Sequence, residues 1–167
     1  QTAPHFYLSV DCDIDNLLAA RKALNEAAEA SVKISVNDMV VKATAAALMA
    51  EPDVNGSFEA EGCCYYSTAD ICVAVAVDGG LVTPVIYDVQ NLGLADISRK
   101  TTDLASRARA GTLEPSEYSG GSFTISNLGM FGIREFAAVI NPPQSAILAV
   151  GAGEQRPVVK NGELAVA

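Results

Sequence analysis

The side chains best suited to chemistry lie in one glycine-rich stretch, residues 120–132. It reads Gly-Gly-Ser-Phe-Thr-Ile-Ser-Asn-Leu-Gly-Met-Phe-Gly, which is typical of a strand that delivers hydroxyls and an amide into a glycine-rich bend. A glycine backbone can approach a ligand closely, and binding residues favour loops that a rigid scaffold holds. An ordinary strand and turn would give the same pattern. These residues alone therefore leave a ligand site and a structural turn as equal alternatives.

The single histidine, His5, is the one candidate for the base of a Ser-His-Asp or Cys-His arrangement. It follows Pro4 at the start of a predicted strand, and no partner can be identified from spacing. A histidine without an identified nucleophile or orienting group carries no signal for a triad. We therefore interpret His5 as a structural or exposed residue.

Neither a metal site nor a nucleotide-phosphate loop is indicated. None of the four cysteines forms a Cys-x-x-Cys pair, and with one histidine they cannot supply a zinc ligand set at usable spacing. Asp11, Asp13 and Asp15 alternate at a predicted strand-to-helix junction, where acidic residues suit the helix N-terminus better than a calcium loop. No Gly-x-x-x-x-Gly-Lys loop occurs. We expect no metal and no redox cofactor, and we interpret Cys72 as a buried thiol of a reducing compartment.

Two predicted elements precede this stretch near the N-terminus. Phe6, Leu8 and Val10 alternate with polar neighbours, which predicts a half-buried strand. Residues 36–50 predict a helix that Ser35 and Asp38 cap and that Pro52 prevents from continuing. This helix is apolar nearly all round, so we expect it to be largely buried.

The remaining elements are predicted from the same kinds of signal. One helix follows Asp13 as its cap, and another spans residues 94–110 with Gly111 as its stop. Turns at Asp78-Gly79-Gly80 and Asn161-Gly162 predict two hairpins. Strands are predicted at residues 71–77, 81–87, 122–126, 145–150, 157–160 and 163–167. This order indicates an α/β sandwich with a mixed sheet and helices packed on it.

Composition limits the class of protein. A chain of 167 residues that is 50% hydrophobic and 19% charged fits one compact domain. Its net charge of -9 argues against nucleic-acid binding, which relies on clustered Lys and Arg. No run of about 18 apolar residues predicts a membrane span, and the N-terminus lacks a signal-peptide pattern. The basic residues of helix 94–110 predict a solvated face, with an anion site as the lesser alternative; they are Arg99, Lys100, Arg107 and Arg109.

The stretch 120–132, together with residues 136–151, resembles the catalytic domain of the 2-oxoacid dehydrogenase acyltransferases. Residues 4–8, 35–38 and 79–85 are also similar to landmarks of that family, so the resemblance spans essentially the whole chain. Within the family, the Asn-Leu-Gly-Met-Phe-Gly and Asn-Pro-Pro-Gln forms are most similar to the acetyl-transferring member of the pyruvate dehydrogenase complex. The succinyl and branched-chain members are less similar.

The resemblance implies a chloramphenicol acetyltransferase-like fold and a homotrimer that assembles into a 24-mer or 60-mer core. The implied reaction moves an acetyl group between coenzyme A and a lipoyl group on a separate domain, within a pyruvate dehydrogenase complex. Ser126 matches the hydroxyl that stabilises the oxyanion of the tetrahedral intermediate. The implied location is the bacterial cytoplasm or the mitochondrial matrix. Substrate contacts are expected from the residues that follow the serine, Asn127, Leu128, Gly129, Met130 and Phe131.

One landmark of the family does not occur in the sequence. The catalytic histidine of the family lies in an Asp-His-Arg-x-x-Asp-Gly pattern, and residues 1–167 contain no such pattern. The chain ends inside a predicted strand, so we expect residues 1–167 to be a catalytic domain that is incomplete at its C-terminus and inactive alone. Two alternatives stay open: an inactive relative that only builds a core, and a stand-alone acetyltransferase for a small molecule.

Overall fold

A four-stranded mixed sheet forms the centre of the computed structural model, which describes residues 3–29 and 31–167. Its strands are β3 (Ile71–Val73), β6 (Val85–Ile86), β7 (Phe123–Asn127) and β8 (Ile147–Val150), in the order β6-β3-β7-β8. β3 pairs antiparallel with β6 and parallel with β7, which pairs parallel with β8. The predicted mixed sheet is therefore confirmed.

Two helices, α2 (Val36–Ala50) and α3 (Leu94–Ala110), pack on one face of this sheet and bury its apolar side chains. Full burial of one such side chain contributes roughly 1.5–3 kcal/mol, so this layer makes a large contribution to stability. The shared core includes Val41, Ala45, Leu48, Ile97, Leu104, Ile71, Val73, Ile86, Phe123 and Ile125.

The start of α2 is fixed by the predicted cap. The Ser35 hydroxyl accepts a hydrogen bond from the Asp38 backbone N–H at 3.1 Å, and the Asp38 carboxylate accepts one from the Ser35 N–H at 2.8 Å. Most of α2 is buried or half-buried, as expected, and its sheet-facing side lies in the core. Ala46 and Ala47 on its other side are exposed. Small alanines bury little surface, so an apolar composition did not require a second covering layer.

The helix α3 has the predicted bounds and ends at Gly111, whose φ of 68° is the left-handed conformation that glycine adopts readily. Its basic residues favour the solvated interpretation. Arg99 pairs with Asp96 at 3.0 Å, and the Arg107 guanidinium donates to both carboxylate oxygens of Glu117.

In the described part of the chain, three hairpins flank the sheet. The predicted central hairpin is present as β4 (Val75–Val77) and β5 (Gly80–Val82), and β3 and β6 continue it into the sheet. The predicted hairpin at Asn161-Gly162 is β9 (Pro157–Lys160) with β10 (Glu163–Val166). The hairpin of β1 (Gly56–Glu59) and β2 (Gly62–Tyr65) was not predicted.

The predicted N-terminal strand is wrong. Residues 4–13 form no strand, and the side chains of Phe6, Leu8 and Val10 are 84%, 88% and 84% exposed. Within the described chain, no strand lies beside this segment to pair with its backbone. The alternation is real, but the apolar side chains point away from the domain.

Polar side chains hold this segment instead. Ser9 Oγ donates to Glu135 at 2.7 Å, and Asp11 pairs with Arg156 at 3.3 Å. The helix α1 (Asp15–Ala27) follows, one residue later than the predicted cap, because Ile14 and not Asp13 is its N-cap. Among the helices of residues 3–29 and 31–167, none has the length and apolar character needed to cross a lipid bilayer.

Candidate functional site

The central strand β7 presents two chemically different faces. Side chains alternate along a strand, so Phe123 and Ile125 face the helices and enter the core, whereas Thr124 and Ser126 face the opposite side. Ser122, which precedes the strand, lies on the same side as Thr124. The predicted hydroxyl-bearing strand is thus a strand with one apolar face and one hydroxyl face.

Two of the three hydroxyls are buried and already used within the chain. Ser122 Oγ accepts a hydrogen bond from the Asp70 backbone N–H at 3.1 Å. Thr124 Oγ1 donates to Gln144 Oε1 at 2.5 Å. Each of these side chains is 1% exposed. They stabilise the sheet and are not accessible to a substrate.

Cys72 belongs to the same buried polar group. It lies opposite Thr124 in the register of β3 and β7, and its sulfur accepts a hydrogen bond from Gln144 Nε2 at 3.3 Å. Burial raises the pKa of the Cys72 thiol above its ordinary value. A protonated thiol is a poor nucleophile, and the interpretation of Cys72 as a buried thiol is confirmed.

Ser126 is the hydroxyl that remains free. It lies opposite Ala149 near the carboxyl end of β7, is half-buried, and makes no side-chain hydrogen bond within the described residues. A hydroxyl with a free proton can donate to an oxygen that gains negative charge during a reaction. Of the three hydroxyls on this face, Ser126 is therefore the one available for chemistry.

The turn after Ser126 is held by backbone and amide contacts. Leu128 N donates to Val150 O at 3.0 Å, and the Asn127 carboxamide oxygen accepts from Gly129 N at 2.9 Å. A Cβ at Gly129 would lie 2.8 Å from the carbonyl oxygen of Gly151. Glycine at this position therefore permits close contact between two backbone segments.

The predicted substrate-contacting residues do not form one enclosed pocket. Met130 and Phe131 are in a short 3₁₀ turn, Gly129–Phe131, and are 77% and 65% exposed. Asn127 points to the helix side of the strand, where its amide contacts Asn37 of α2 at 2.9 Å. Within one chain, Ser126 therefore lies on an open surface bordered by the exposed turn.

His5 has a structural role, as predicted. Its Nε2 accepts a hydrogen bond from the Ile140 backbone N–H at 2.9 Å, so the ring proton is on Nδ1, which donates to Ala3 O at 2.8 Å. Both ring nitrogens are engaged by backbone groups. His5 has no free nitrogen with which to remove a proton from a substrate.

Sequence reasoning assigned no role to two residues that the structure places beside the site, Asn37 and Gln144. Asn37 contacts Asn127 across 90 sequence positions, and Gln144 contacts Thr124 across 20. Both occur in stretches that resemble the family, but no spacing rule links them to β7. In the described parts of the chain, no group of three or more His, Cys, Asp or Glu side chains could hold a metal ion.

The architecture is an α/β sandwich of a mixed sheet and packed helices, and comparison with known proteins identifies the family. Residues 1–167 match the family described as 2-oxoacid dehydrogenases acyltransferase (catalytic domain). The chain belongs to this family.

Named relatives and solved structures agree with this membership. The chain is 50% identical over 168 residues to the dihydrolipoyllysine-residue acetyltransferase component of the pyruvate dehydrogenase complex of Zymomonas mobilis, with 100% of this chain and 38% of that protein covered. It is 52% identical over 161 residues to the mitochondrial counterpart of Dictyostelium discoideum, covering 96% of this chain and 25% of that protein. The chain thus spans well under half the length of these relatives.

A solved structure of the Azotobacter vinelandii dihydrolipoamide acetyltransferase superposes with a TM-score of 0.88 at 34% identity, covering 92% of this chain and 65% of that one. A structure of the cubic core of a pyruvate dehydrogenase multienzyme complex also gives 0.88, at 33% identity, with the same coverage. The predicted chloramphenicol acetyltransferase-like sandwich is confirmed.

Proposed function

We propose that the natural polypeptide carrying this chain transfers an acetyl group between coenzyme A and the dihydrolipoyl group of a separate lipoyl domain. Relatives that are 50% and 52% identical carry the name dihydrolipoyllysine-residue acetyltransferase. The observation that carries the proposal at the level of residues is the free, half-buried hydroxyl of Ser126 at the end of β7.

In the proposed reaction, a thiolate attacks the carbonyl carbon of an acetyl thioester. A carbon–sulfur bond forms, the carbonyl oxygen becomes an oxyanion, and its collapse expels the second thiolate. The Ser126 hydroxyl would donate a hydrogen bond to that oxyanion, which is the group that gains charge in the transition state. The proton of the attacking thiol needs a base. His5 cannot serve, because both ring nitrogens are engaged by backbone.

The base would be the histidine of the Asp-His-Arg-x-x-Asp-Gly pattern, which residues 1–167 do not contain. Work on the Azotobacter vinelandii enzyme concerned the catalytic role of a serine, a histidine and an asparagine. Ser126 would be the serine of such a set.

The apolar turn beside Ser126 would contact the thiol-bearing arms of the substrates. Leu128 is half-buried next to the serine, and Met130 and Phe131 present exposed apolar surface. Lipoyl and pantetheine arms are long and largely apolar near the sulfur, so such a surface could bury part of them.

We further propose that the chain works in a homotrimer that builds a 24-mer or 60-mer core with other pyruvate dehydrogenase components. The exposed side chains of Phe6, Leu8 and Val10 support the proposal of a subunit contact, because contiguous apolar surface usually marks an interface. A related structure is described as a cubic core. The location would be the bacterial cytoplasm or the mitochondrial matrix.

The test uses the natural polypeptide, whose intact mass is first compared with the 17.3 kDa of these residues. Transfer from acetyl-, succinyl- or isobutyryl-coenzyme A to dihydrolipoamide is then measured. We expect acetyl transfer, and we expect Ser126→Ala to lower kcat by about a hundredfold or more without shifting the unfolding midpoint. The matched control is Ser67→Ala, an exposed serine whose hydroxyl makes no hydrogen bond within the described residues.

Each other outcome would indicate a different function for this protein. Preference for another acyl donor would change the assigned substrate. Transfer to a small-molecule acceptor but not to dihydrolipoamide would indicate a stand-alone acetyltransferase. Assembly without transfer would indicate an inactive core protein, and near-normal turnover of Ser126→Ala would remove the role proposed for that serine.

A further inference from the structure

The residue next to Ser126 is tied to a distant helix by one amide–amide hydrogen bond. Asn127 Nδ2 donates to Asn37 Oδ1 at 2.9 Å, across 90 sequence positions. Asn127 is the last residue of β7, and Asn37 is the second residue of α2. The bond therefore joins the end of the site strand to the N-terminal turn of a core helix.

The direction of this bond follows from a second contact. The Gly129 backbone N–H can only donate, so the atom of Asn127 that it meets at 2.9 Å must be the carboxamide oxygen. The nitrogen of Asn127 then faces Asn37, which must present its oxygen. Asn37 makes no other side-chain hydrogen bond within the described residues, so its amide is free to turn over.

Both ends of the bond are attached to rigid elements. The first turn of α2 is held by the reciprocal hydrogen bonds of Ser35 and Asp38. Leu128 N, on the other side of the turn, donates to Val150 O of β8. The strand end that carries Ser126 is thus fixed to the sheet by its backbone and to the helix layer by Asn37.

We propose that Asn37 is a positioning residue for Ser126, an inference that rests on the proposed acetyl transfer. Through Asn127 it sets the direction of the strand end and so the place of the Ser126 hydroxyl. The amide pair is half-buried and lies outside the apolar core, so its main effect is on geometry. A displacement of about 1 Å at a reacting group can cost about a hundredfold in rate.

Two aspartate substitutions test this proposal through their combination. In Asn37→Asp, the new carboxylate still accepts from Asn127, and a negative charge suits the first turn of α2. In Asn127→Asp, the carboxylate still accepts from Gly129 N–H, and the amide of Asn37 can turn to donate to it. Only the double variant places two acceptors with like charge against each other, so only it breaks the bond at neutral pH.

We expect the double variant to lower kcat at least about tenfold beyond the product of the single effects, since contacting residues are not additive. The fold-change in KM should be far smaller than the fold-change in kcat, and the unfolding midpoint should shift little. One of two facing carboxylates has a raised pKa. Its protonation restores a donor, so the ratio of kcat for the double variant to kcat for the native protein should rise as the pH falls.

Two further variants keep the result interpretable if the double variant folds poorly. Asn37→Ala removes the acceptor without adding charge and should lower kcat, whereas Asn37→Asp should restore most of it. The charge control is Asn16→Asp with Gln155→Glu, which adds two negative charges at exposed residues whose side chains make no hydrogen bond in the described chain. This control should not reproduce the loss of kcat.

The proposal is overturned if the double variant equals the product of the singles, if Asn37→Ala keeps full kcat, or if only the unfolding midpoint falls. Failure of the proposed function looks different, because Ser126→Ala would then keep its turnover or no acetyl transfer would be seen. A large loss with Ser126→Ala and none with the asparagine variants would remove the role of Asn37 alone.

Discussion

The two faces of the central sheet have different roles, and the residues that form them alternate along the same strands. On the helix face, Ile71 and Ile125 lie in a closed apolar core under α2 and α3. On the opposite face, Cys72 and Thr124 form a buried polar group, and Ser126 beyond them is left free. The apolar core and the Ser126 hydroxyl are therefore separated by one residue of sequence. Removing a side chain from the apolar core should therefore lower stability without removing the Ser126 hydroxyl.

The largest expected effect tests the helix face. Ile125 is fully buried, and Ile125→Ala should reduce the free energy of unfolding by about 2–5 kcal/mol, because it removes apolar contact and leaves a cavity. Chemical denaturation measures the change. The matched control is Ile133→Ala, at a side chain that is 40% exposed, and a similar loss there would contradict the division between the faces.

A smaller effect is expected at a surface ion pair that belongs to neither face. Hydrogen bonds from the Arg107 guanidinium lower the pKa of the Glu117 carboxyl from 4.5 to about 2. A lowered pKa in the folded state stabilises the protein fully above the unfolded value, and this contribution is lost as the pH falls from about 4.5 towards about 2. Glu117→Gln should therefore be less stable than the native protein at neutral pH, with a difference that shrinks in acid.

Unfolding midpoints of both proteins across that pH range measure this difference. Arg107 also pairs with Asp103 at 2.9 Å. The variant Asp103→Asn therefore distinguishes the contribution of this pair from that of the pair with Glu117. The difference in unfolding midpoint between the native protein and Glu117→Gln could instead stay constant down to pH about 2. That result would show that the ion pair does not hold Glu117 ionised.

Local signals predicted most of the elements correctly. Gly111 as the stop of α3, the Ser35 cap of α2 and the Asn161-Gly162 turn all act within a few residues, and all three are confirmed. The faces that these elements present depend on distant neighbours. The alternation of apolar and polar residues at Phe6 and Leu8 indicated a strand period, but it did not show which side, if any, another element covers.

The candidate site could be predicted only in part for the same reason. The hydroxyl pattern of residues 120–132 indicated a strand and a bend, but only the family resemblance singled out Ser126. The structure shows that Thr124 is hydrogen-bonded to Gln144 and that Ser122 is hydrogen-bonded to Asp70. Only this comparison reveals that the Ser126 hydroxyl is the free one on this face. No local pattern predicts that Asn127 meets Asn37, because the helix and the strand come together only in the folded sheet.

The most direct test removes one hydroxyl at a time from the same face of β7 and measures kcat and the free energy of unfolding together. Thr124→Val should cost about 1–3 kcal/mol of stability, because the buried Gln144 oxygen loses its donor, and the folded variant should keep its kcat. Ser126→Ala should keep its stability and lose kcat by about a hundredfold or more. If Ser126→Ala instead loses stability and keeps kcat, the free hydroxyl is structural and the site lies elsewhere.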